Sequence, residues 1–459
     1  MIELDAHEAA LAKRLNVSLA PYHPPSEKFY HSNYVFDGCL AANLRSSHGY
    51  FRSAARQLLS FKATQRPNGM VPGVSHPPKA FFINPERWLS TAPFEGNDYT
   101  QTPDWARSVL YLYDHATSVP AASPSQSIKP DEFVRQIYPF LGQYYGYFIN
   151  FRQIAADDPR AFLLHPNESN RDSGPENDEW KQAELERQLR KPAARLLQRK
   201  PRQGERMPTW FNYYNRTVDY LGAIAINIAG FKAGWDPARI RETTGEFVDV
   251  WFNSHLCENY SAMSQLATLI GAEEDACFYS ELVQKLELAM DTHYDEAAHG
   301  GMGSFYSTYN GRFQRKDTIG NLASLLLPNA PVHHIESNLD IMDEFFDTPF
   351  VLPCISTADK DNWDPNYEEP NLHWHNGTVW GVANVVARRG LLKVIKRPEA
   401  LAEDLRDRAR TWEHRILDSS VKMVEVTGDY AEHQHPYTGL GQRMHKTRGH
   451  VFGIPLLDP

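Results

Sequence analysis

The stretch that decides the fold is DEFVRQIYPFLGQYYGYFINFR, residues 131–152. Its apolar residues recur every three or four positions, a spacing that places them on one face of an α-helix. The same spacing covers 216–233, RTVDYLGAIAINIAGFKA, whereas few segments of the chain alternate between apolar and polar residues as strands do. The sequence therefore predicts an all-α fold.

Working outward from these two segments, the helical spacing recurs along the chain and predicts about a dozen helices. The others are residues 37–45, 50–63, 104–116, 237–255, 260–270, 275–293, 318–327, 335–346, 378–394 and 398–417. Consecutive helices of this length favour αα-hairpins. Although 459 residues would suffice for roughly three domains, these helices fill the chain, and we expect one (α/α)6 barrel, a six-hairpin toroid, over residues 1–459.

The ends of the helices carry start signals, and one long polar stretch interrupts them. Thr102-Pro103-Asp104 and Asp236-Pro237 combine a capping residue with a proline, as helix N-termini often do. Residues 159–210 form the interruption, and their segment 186–206 is rich in arginine and lysine. This insertion is interpreted either as a solvated helix and loop or as a lid whose arginines close over an anionic substrate.

Composition narrows the function classes. The chain has 42% hydrophobic and 23% charged residues, values typical of an enzyme. Its net charge of −10 makes it unsuited to binding nucleic acid, whose phosphates attract cationic proteins. No apolar run is long enough for a membrane span, and the amphipathic start MIELDAHEAALAKRL does not resemble a secretory signal. We therefore expect a cytoplasmic protein with no nucleic-acid or membrane partner. Its four separated cysteines are expected to be free, buried thiols.

Two loop segments carry carboxylates suited to hydrolysis. NESNRDSGP, residues 167–175, contains Glu168 and Asp172, and YAEHQHPYTG, residues 430–439, contains Glu432 beside aromatic and imidazole groups. Glycosidases need one protonated carboxyl group to donate to the leaving oxygen and one ionised carboxylate to activate water. Asp172 is the candidate acid and Glu432 the candidate base.

Seven short motifs occur in order along the chain. They are YVFD (34–37), NGMVP (68–72), PERW (85–88), TQTP (100–103), ESNRDS (168–173), HNGTVW (375–380) and EHQHPYTG (432–439). Together they resemble the six-hairpin glycosidases of glycoside hydrolase family 63, particularly its glucosylglycerate and mannosylglycerate hydrolases. The last three are similar to the family's Glu-Ser-Gly-x-Asp-x-Ser, Trp-Arg-Gly-Pro-Val-Trp and Glu-x-Tyr-x-Pro-x-Thr-Gly elements, and the first of these three elements is shared with family 37 trehalases.

The resemblance implies an (α/α)6 fold and inverting hydrolysis of an α-linked glucoside or mannoside of a small molecule, with Asp172 as general acid and Glu432 as general base. Inversion needs the two carboxyl groups about 6.5–9.5 Å apart. Because Asp172 must hold its proton near neutrality, we expect aromatic walls, no close cation, and the Arg171 side chain directed away from it.

The substrate-binding candidates combine polar groups for sugar hydroxyls with aromatic platforms. They are Tyr34, Phe36, Asp37, Arg87, Trp88, Gln101, Glu168, Trp374, His375 and Trp380. Each tryptophan could equally be a core residue, and Glu168 could bond backbone N–H groups and orient the Asp172 loop instead of touching sugar. The family pattern is not matched at several positions, nor in the basic C-terminus. These positions are Phe36, His375, Asn376, His433 and Gln434.

No metal or other cofactor is expected. His373-x-His375 and His433-x-His435 could be drawn as a four-imidazole site, but alternating residues on irregular loops do not fix ligand geometry.

Two other functions remain open at this point. A sugar epimerase of the N-acylglucosamine epimerase type would use the same toroid with a histidine pair. A non-catalytic glycan-binding toroid would normally lack one of the two carboxylates. The presence of both acids in their motifs favours hydrolysis, with a small carbohydrate as substrate; a homo-oligomer is possible. The sugar and its aglycone, which the cations Arg443, Lys446 and Arg448 could contact, are left open.

Overall fold

The structure is a computed structural model, and it describes residues 33–75, 97–171, 174–188, 217–360, 363, 377–397, 401–427 and 433–440. Helices dominate these ranges. They are α1 (Val35–Ser47), α2 (Phe51–Ser60), α3 (Trp105–Ser118), α4 (Pro130–Phe151), α5 (Asp178–Gln188), α6 (Thr217–Lys232), α7 (Pro237–Thr244), α8 (Val250–Ile270), α9 (Glu273–Met290), α10 (Val332–Phe345), α11 (Gly381–Ile395) and α12 (Glu403–Thr427).

The strands are short and pair antiparallel in small sheets. They are β1 (Asn33–Tyr34), β2 (Val74–Ser75), β3 (Gln153–Ala155), β4 (Asp158–Ala161), β5 (Phe247–Val248), β6 (Tyr294–Asp295), β7 (Ser304–Phe305), β8 (Thr308–Tyr309), β9 (Arg312–Phe313), β10 (Val379–Trp380) and β11 (His433–Gln434). The pairs are β1–β2, β3–β4, β6–β7 and β10–β11, and β8 lies between β5 and β9. These ribbons link helices rather than forming a layer of their own.

Helices that follow one another among the described residues pack against each other in pairs. The pairs are α1 with α2, α3 with α4, α5 with α6, α8 with α9, and α11 with α12. Helix α3 also contacts both α1 and α8. Neighbouring hairpins therefore pack against each other through these three helices. One buried apolar cluster extends from Val35 in α1 to Ile416 in α12, which joins the hairpins through a continuous core.

Helix α4 illustrates how the predicted apolar spacing becomes burial. It begins at Pro130, whose fixed φ suits the first helical position. Phe133, Ile137, Leu141 and Tyr144 recur on one face and are buried. The 131–152 prediction is thus confirmed to within one residue at each end.

The predicted helix 237–255 is wrong, because the chain breaks within it. Helix α7 ends where Gly245 adopts a φ of +84°, which a glycine tolerates without steric strain. Strand β5 follows, and Asp249 then caps α8 by accepting a hydrogen bond from the Phe252 N–H. The predicted 260–270 helix is the second half of α8.

Two further expectations need correction. Residues 318–327 contain a 3₁₀ helix, Asn321–Leu326, in place of an α-helix. Asp104 precedes α3 without capping it through its side chain, whereas the predicted cap at Asp236 is confirmed by a hydrogen bond from the Arg239 N–H. The described part of the polar stretch 159–210 includes the end of β4 and the helix α5. Most of its basic segment lies outside the described ranges, and the interpretation of the stretch as an insertion stays a prediction.

All four cysteines are free, as predicted, but Cys277 is exposed while the other three are buried. None of the helices in the described ranges combines the length and apolarity that crossing a membrane requires.

Candidate active site

The loop that leads to Asp172 is held by a buried ion pair. Glu168 and Arg152 are both fully buried, and the guanidinium donates to both carboxylate oxygens at 2.9 and 2.7 Å. Backbone N–H groups of Thr100 and Leu164 donate to the same oxygens at 3.1 and 2.6 Å. The Glu168 carboxylate therefore accepts four hydrogen bonds from protein groups.

Asn170 explains how this chain replaces the glycine of the Glu-Ser-Gly-x-Asp pattern. Its φ of +58° lies in the left-handed region, which asparagine tolerates better than other residues with a side chain. Its Oδ1 accepts from the Thr102 N–H at 3.2 Å. Asn170 thus adopts a left-handed conformation that glycine would also tolerate, and its side chain bonds the neighbouring loop, residues 100–103.

Arg171, the residue before Asp172, has a buried side chain enclosed by polar partners. Its guanidinium donates to Asp249 Oδ2 at 3.0 Å and to Thr318 Oγ1 at 2.8 Å, and lies 2.7 Å from Glu176 Oε1. It also lies over the Trp251 ring, 5.5 Å from its centroid. Sequence reasoning missed this anchor because Asp249 and Thr318 are distant along the chain and carry no motif.

On the other side of the site, the residues that follow Glu432 form β11. In the β10–β11 ribbon, Trp380 pairs with His433, and their rings stack with centroids 6.2 Å apart. His433 Nδ1 and the Thr378 hydroxyl are 3.0 Å apart. Because His433 is buried in these contacts, its departure from the family pattern is accommodated by packing.

A chain of ring contacts connects the two loops. Trp251 stacks with Trp380 at 6.2 Å between centroids. Trp251 also contacts the Arg171 guanidinium, and Trp380 contacts His433. The immediate neighbours of the two candidate catalytic residues therefore lie at opposite ends of one stack of four side chains.

The first turn of α1 contributes Phe36 and Asp37. Phe36 is fully buried, with edge contacts to Trp251 and His255, and its N–H donates to Gln101 Oε1 at 3.2 Å. Tyr34, in β1, is half-buried. Helix α1 thus contacts the stack through Phe36, which packs against Trp251 and is bonded to Gln101.

Asp37 is a partly exposed carboxyl group in a largely apolar setting. Desolvation raises its pKa to about 7, against a smaller opposing contribution from a backbone hydrogen bond. A group that is poorly solvated and still reaches the surface is suited to hydrogen bonding with a ligand.

Asp37 therefore makes stability depend on pH. Since its pKa is near 3.9 in the unfolded chain, the unfolded state loses the proton first as pH rises from 4 to 7, and the folded state loses stability over that window. We expect Asp37→Asn to be more stable than the wild type above pH 7 by about 1–3 kcal/mol, discounted for partial exposure, and equal below pH 4. Urea unfolding at pH 4 and 8 measures this.

The exposed residue Asp157 offers a control for the loss of one negative charge. If Asp37→Asn and Asp157→Asn changed stability alike at both pH values, the account of Asp37 would be wrong.

Six of the predicted site residues lie outside the described residues. They are the candidate catalytic pair Asp172 and Glu432, and the binding candidates Arg87, Trp88, Trp374 and His375. Their roles remain predictions.

A second buried polar cluster lies between α3, α8 and α11. Asp104, His255 and Glu258 each place one donor atom within 4.8 Å of the others, as metal ligands would. Arg389, however, donates to both oxygens of Asp104, at 3.1 and 3.2 Å, and to Glu258, which also pairs with Lys393. Although burial opposes it, Arg389 lowers the pKa of Asp104 and Glu258.

Because Arg389 and Lys393 already neutralise these carboxylates, the cluster does not fit a cation. We expect dialysis against EDTA to leave the hydrolytic rate unchanged and elemental analysis to find no stoichiometric metal. A bound metal whose removal abolishes activity would overturn this interpretation.

Comparison with known proteins identifies the family. The model of the mannosylglycerate hydrolase MGH1-like glycoside hydrolase domain matches residues 45–452. The chain belongs to this family. It is a glycoside hydrolase, as the sequence motifs predicted. No curated protein matches the chain.

The fold of this MGH1-like glycoside hydrolase recurs in solved structures. The family 63 mannosylglycerate hydrolase from Thermus thermophilus, in complex with Tris and D-glycerate, matches with a TM-score of 0.75 at 18% identity, over 98% of each chain. The neutral trehalase from Saccharomyces cerevisiae matches with a TM-score of 0.58 at 9% identity, over 95% of this chain and 72% of that one. The predicted (α/α)6 toroid is confirmed.

Proposed function

We propose that this protein hydrolyses an α-linked mannoside or glucoside of a small molecule with inversion, and that a glycosylglycerate is the substrate. The family match over residues 45–452 carries the proposal. The T. thermophilus relative named as a mannosylglycerate hydrolase, in a structure with D-glycerate, supports the choice of aglycone.

In this mechanism Asp172 donates its proton to the leaving glycosidic oxygen while Glu432 accepts a proton from the attacking water. The stack from Arg171 to His433 supports the assignment, because it connects the residues adjacent to both carboxyl groups.

The other candidates divide into positioning and contact roles. Glu168, with four protein donors on its carboxylate, orients the loop that carries Asp172. Phe36, being fully buried, anchors the first turn of α1 against Trp251 and His255. Asp37 and Gln101 bind sugar hydroxyls, because Asp37 is partly exposed and Gln101 lies directly beside α1 through its bond to the Phe36 N–H.

Further binding roles rest on the sequence. Arg87, Trp88, Trp374 and His375 complete the sugar site together with Tyr34 and Trp380. The cations Arg443, Lys446 and Arg448, or those of the 186–206 segment, meet the glycerate carboxylate.

A substrate panel tests the proposal. The purified protein is incubated with mannosylglycerate, glucosylglycerate, the two corresponding methyl α-glycosides, and trehalose, and released sugar is measured. We expect a glycosylglycerate to have the highest kcat/KM. Equal kcat/KM values on the glycerate and methyl glycosides would contradict the aglycone assignment, and absence of hydrolysis across the panel would contradict the substrate class.

Several wider expectations stay predictions of the sequence. These are a single domain over residues 1–459 with an insertion around 159–210, a cytoplasmic location, no nucleic-acid partner, and possible assembly as a homo-oligomer.

A further inference from the structure

We propose that Arg171 is a positioning residue for the general acid: its guanidinium fixes the loop from which Asp172 acts. This inference rests on the proposed function. It concerns a residue for which the family motif specifies no identity, and it assigns a role to a cation whose partners come from three separate parts of the chain.

The first observation is the way the side chain is enclosed. Asp249 precedes α8, Glu176 lies four positions after Asp172, and Thr318 precedes the 3₁₀ helix Asn321–Leu326. Asp249 is itself fixed, since its Oδ1 caps α8 and its Oδ2 also accepts from the Ser307 hydroxyl at 3.2 Å. The guanidinium is therefore tied to rigid elements and not to neighbouring loop residues alone.

The second observation concerns charge. Two buried carboxylates face one guanidinium, and burial raises the pKa of Glu176, an effect that Arg171 opposes. Removing a cation from a buried pair is costly, because it leaves the partner charge uncompensated. Because the Arg171 guanidinium pairs with Asp249 and Glu176, its charge faces these two carboxylates.

The third observation is the backbone on both sides of Asp172. The Arg171 carbonyl accepts from the Gly174 N–H at 2.8 Å and from Asn177 Nδ2 at 3.1 Å. The Arg171 N–H donates to Ser169 Oγ at 3.3 Å. Because both backbone groups of Arg171 are bonded, an anchored side chain at this residue limits the movement of the acid that follows it.

Gly320 supplies the space that the guanidinium occupies. A Cβ at Gly320 would overlap the Arg171 guanidinium, its Nη1 most closely, while the backbone there, with φ −63° and ψ −29°, is compatible with alanine. Gly320→Ala therefore displaces the guanidinium without changing any charged residue, and it offers a second route to the same test.

The experiment compares two substrates that differ in their need for an acid. A glycosylglycerate needs a proton on its leaving oxygen, whereas the corresponding α-glycosyl fluoride has a leaving group that departs with little protonation. We expect Arg171→Met and Gly320→Ala to lower kcat/KM on the glycoside by about 10–100-fold and on the fluoride by less than about threefold. Arg171→Lys should recover part of the loss. Gly142→Ala, where an added Cβ contacts nothing, is the control.

The outcomes separate this inference from the proposed function. Asp172→Asn must itself lose activity on the glycoside and keep it on the fluoride; if it does not, the assignment of the acid fails. The positioning role is overturned if Asp172→Asn behaves as an acid variant but Arg171→Met and Gly320→Ala lower kcat/KM equally on both substrates, or on neither. Should Arg171→Met fail to fold by circular dichroism, Gly320→Ala decides the question.

Discussion

Replacing Asp172 with asparagine is expected to lower kcat on a glycosylglycerate by about 10²–10⁴-fold, equivalent to roughly 3–5.5 kcal/mol of activation free energy. The amide cannot donate a proton of comparable acidity to the leaving oxygen. Glu432→Gln should lose activity to a similar extent, because it cannot accept the proton of the attacking water. Initial rates of sugar release measure both effects.

A conservative change at an exposed aspartate provides the comparison. Asp157→Asn alters an exposed residue in the connection between β3 and β4, and we expect its rate to match that of the wild type. In Glu432→Ala, azide should restore turnover and give a glycosyl azide of inverted configuration, since a small anion does not need a base. Wild-type turnover in either the Asp172 or the Glu432 variant would refute the catalytic assignment.

The second large effect is on stability. Glu168→Gln should lower the free energy of unfolding by about 3–5 kcal/mol, since it leaves the buried Arg152 guanidinium without its counter-charge. The same variant should also perturb the loop that carries Asp172, because the N–H groups of Thr100 and Leu164 lose their charged acceptor. Urea unfolding followed by circular dichroism measures the change.

The chain offers a matched control in an exposed pair of the same type. Lys129 and Glu132 lie 2.6 Å apart on the surface, where screening leaves an ion pair with little net effect. We expect Glu132→Gln to unfold as the wild type does. A Glu168→Gln protein with unchanged stability would show that the buried pair does not hold the loop.

How well the sequence predicted the fold depended on how local the determining interactions are. The α4 helix was predicted because its apolar spacing and its proline start are local features. The break at Gly245 was missed because the apolar spacing of α7 runs on into α8, and the glycine alone did not reveal a left-handed φ. Helix α5 lies in a strongly polar stretch that lacks a clear apolar face.

The site followed the same rule. The motif around Asp172 predicts which loop carries the acid, and this role stays a prediction. Asn170 shows why a residue other than glycine is tolerated in that motif. The enclosure of Arg171 by Asp249 and Thr318 could not be predicted, because it depends on tertiary contacts between distant segments. The expectation that this side chain is directed away from Asp172 stays a prediction, while its observed partners are two carboxylates and a hydroxyl group.

The most direct test of the central claim is the anomeric configuration of the first sugar released. Proton NMR at early times, before mutarotation, should show the β-anomer released from an α-glycosylglycerate by the wild-type protein, and release slowed by at least about 100-fold in Asp172→Asn. Release of the α-anomer, or of an epimerised sugar with the glycosidic bond intact, would contradict inverting hydrolysis by Asp172 and Glu432.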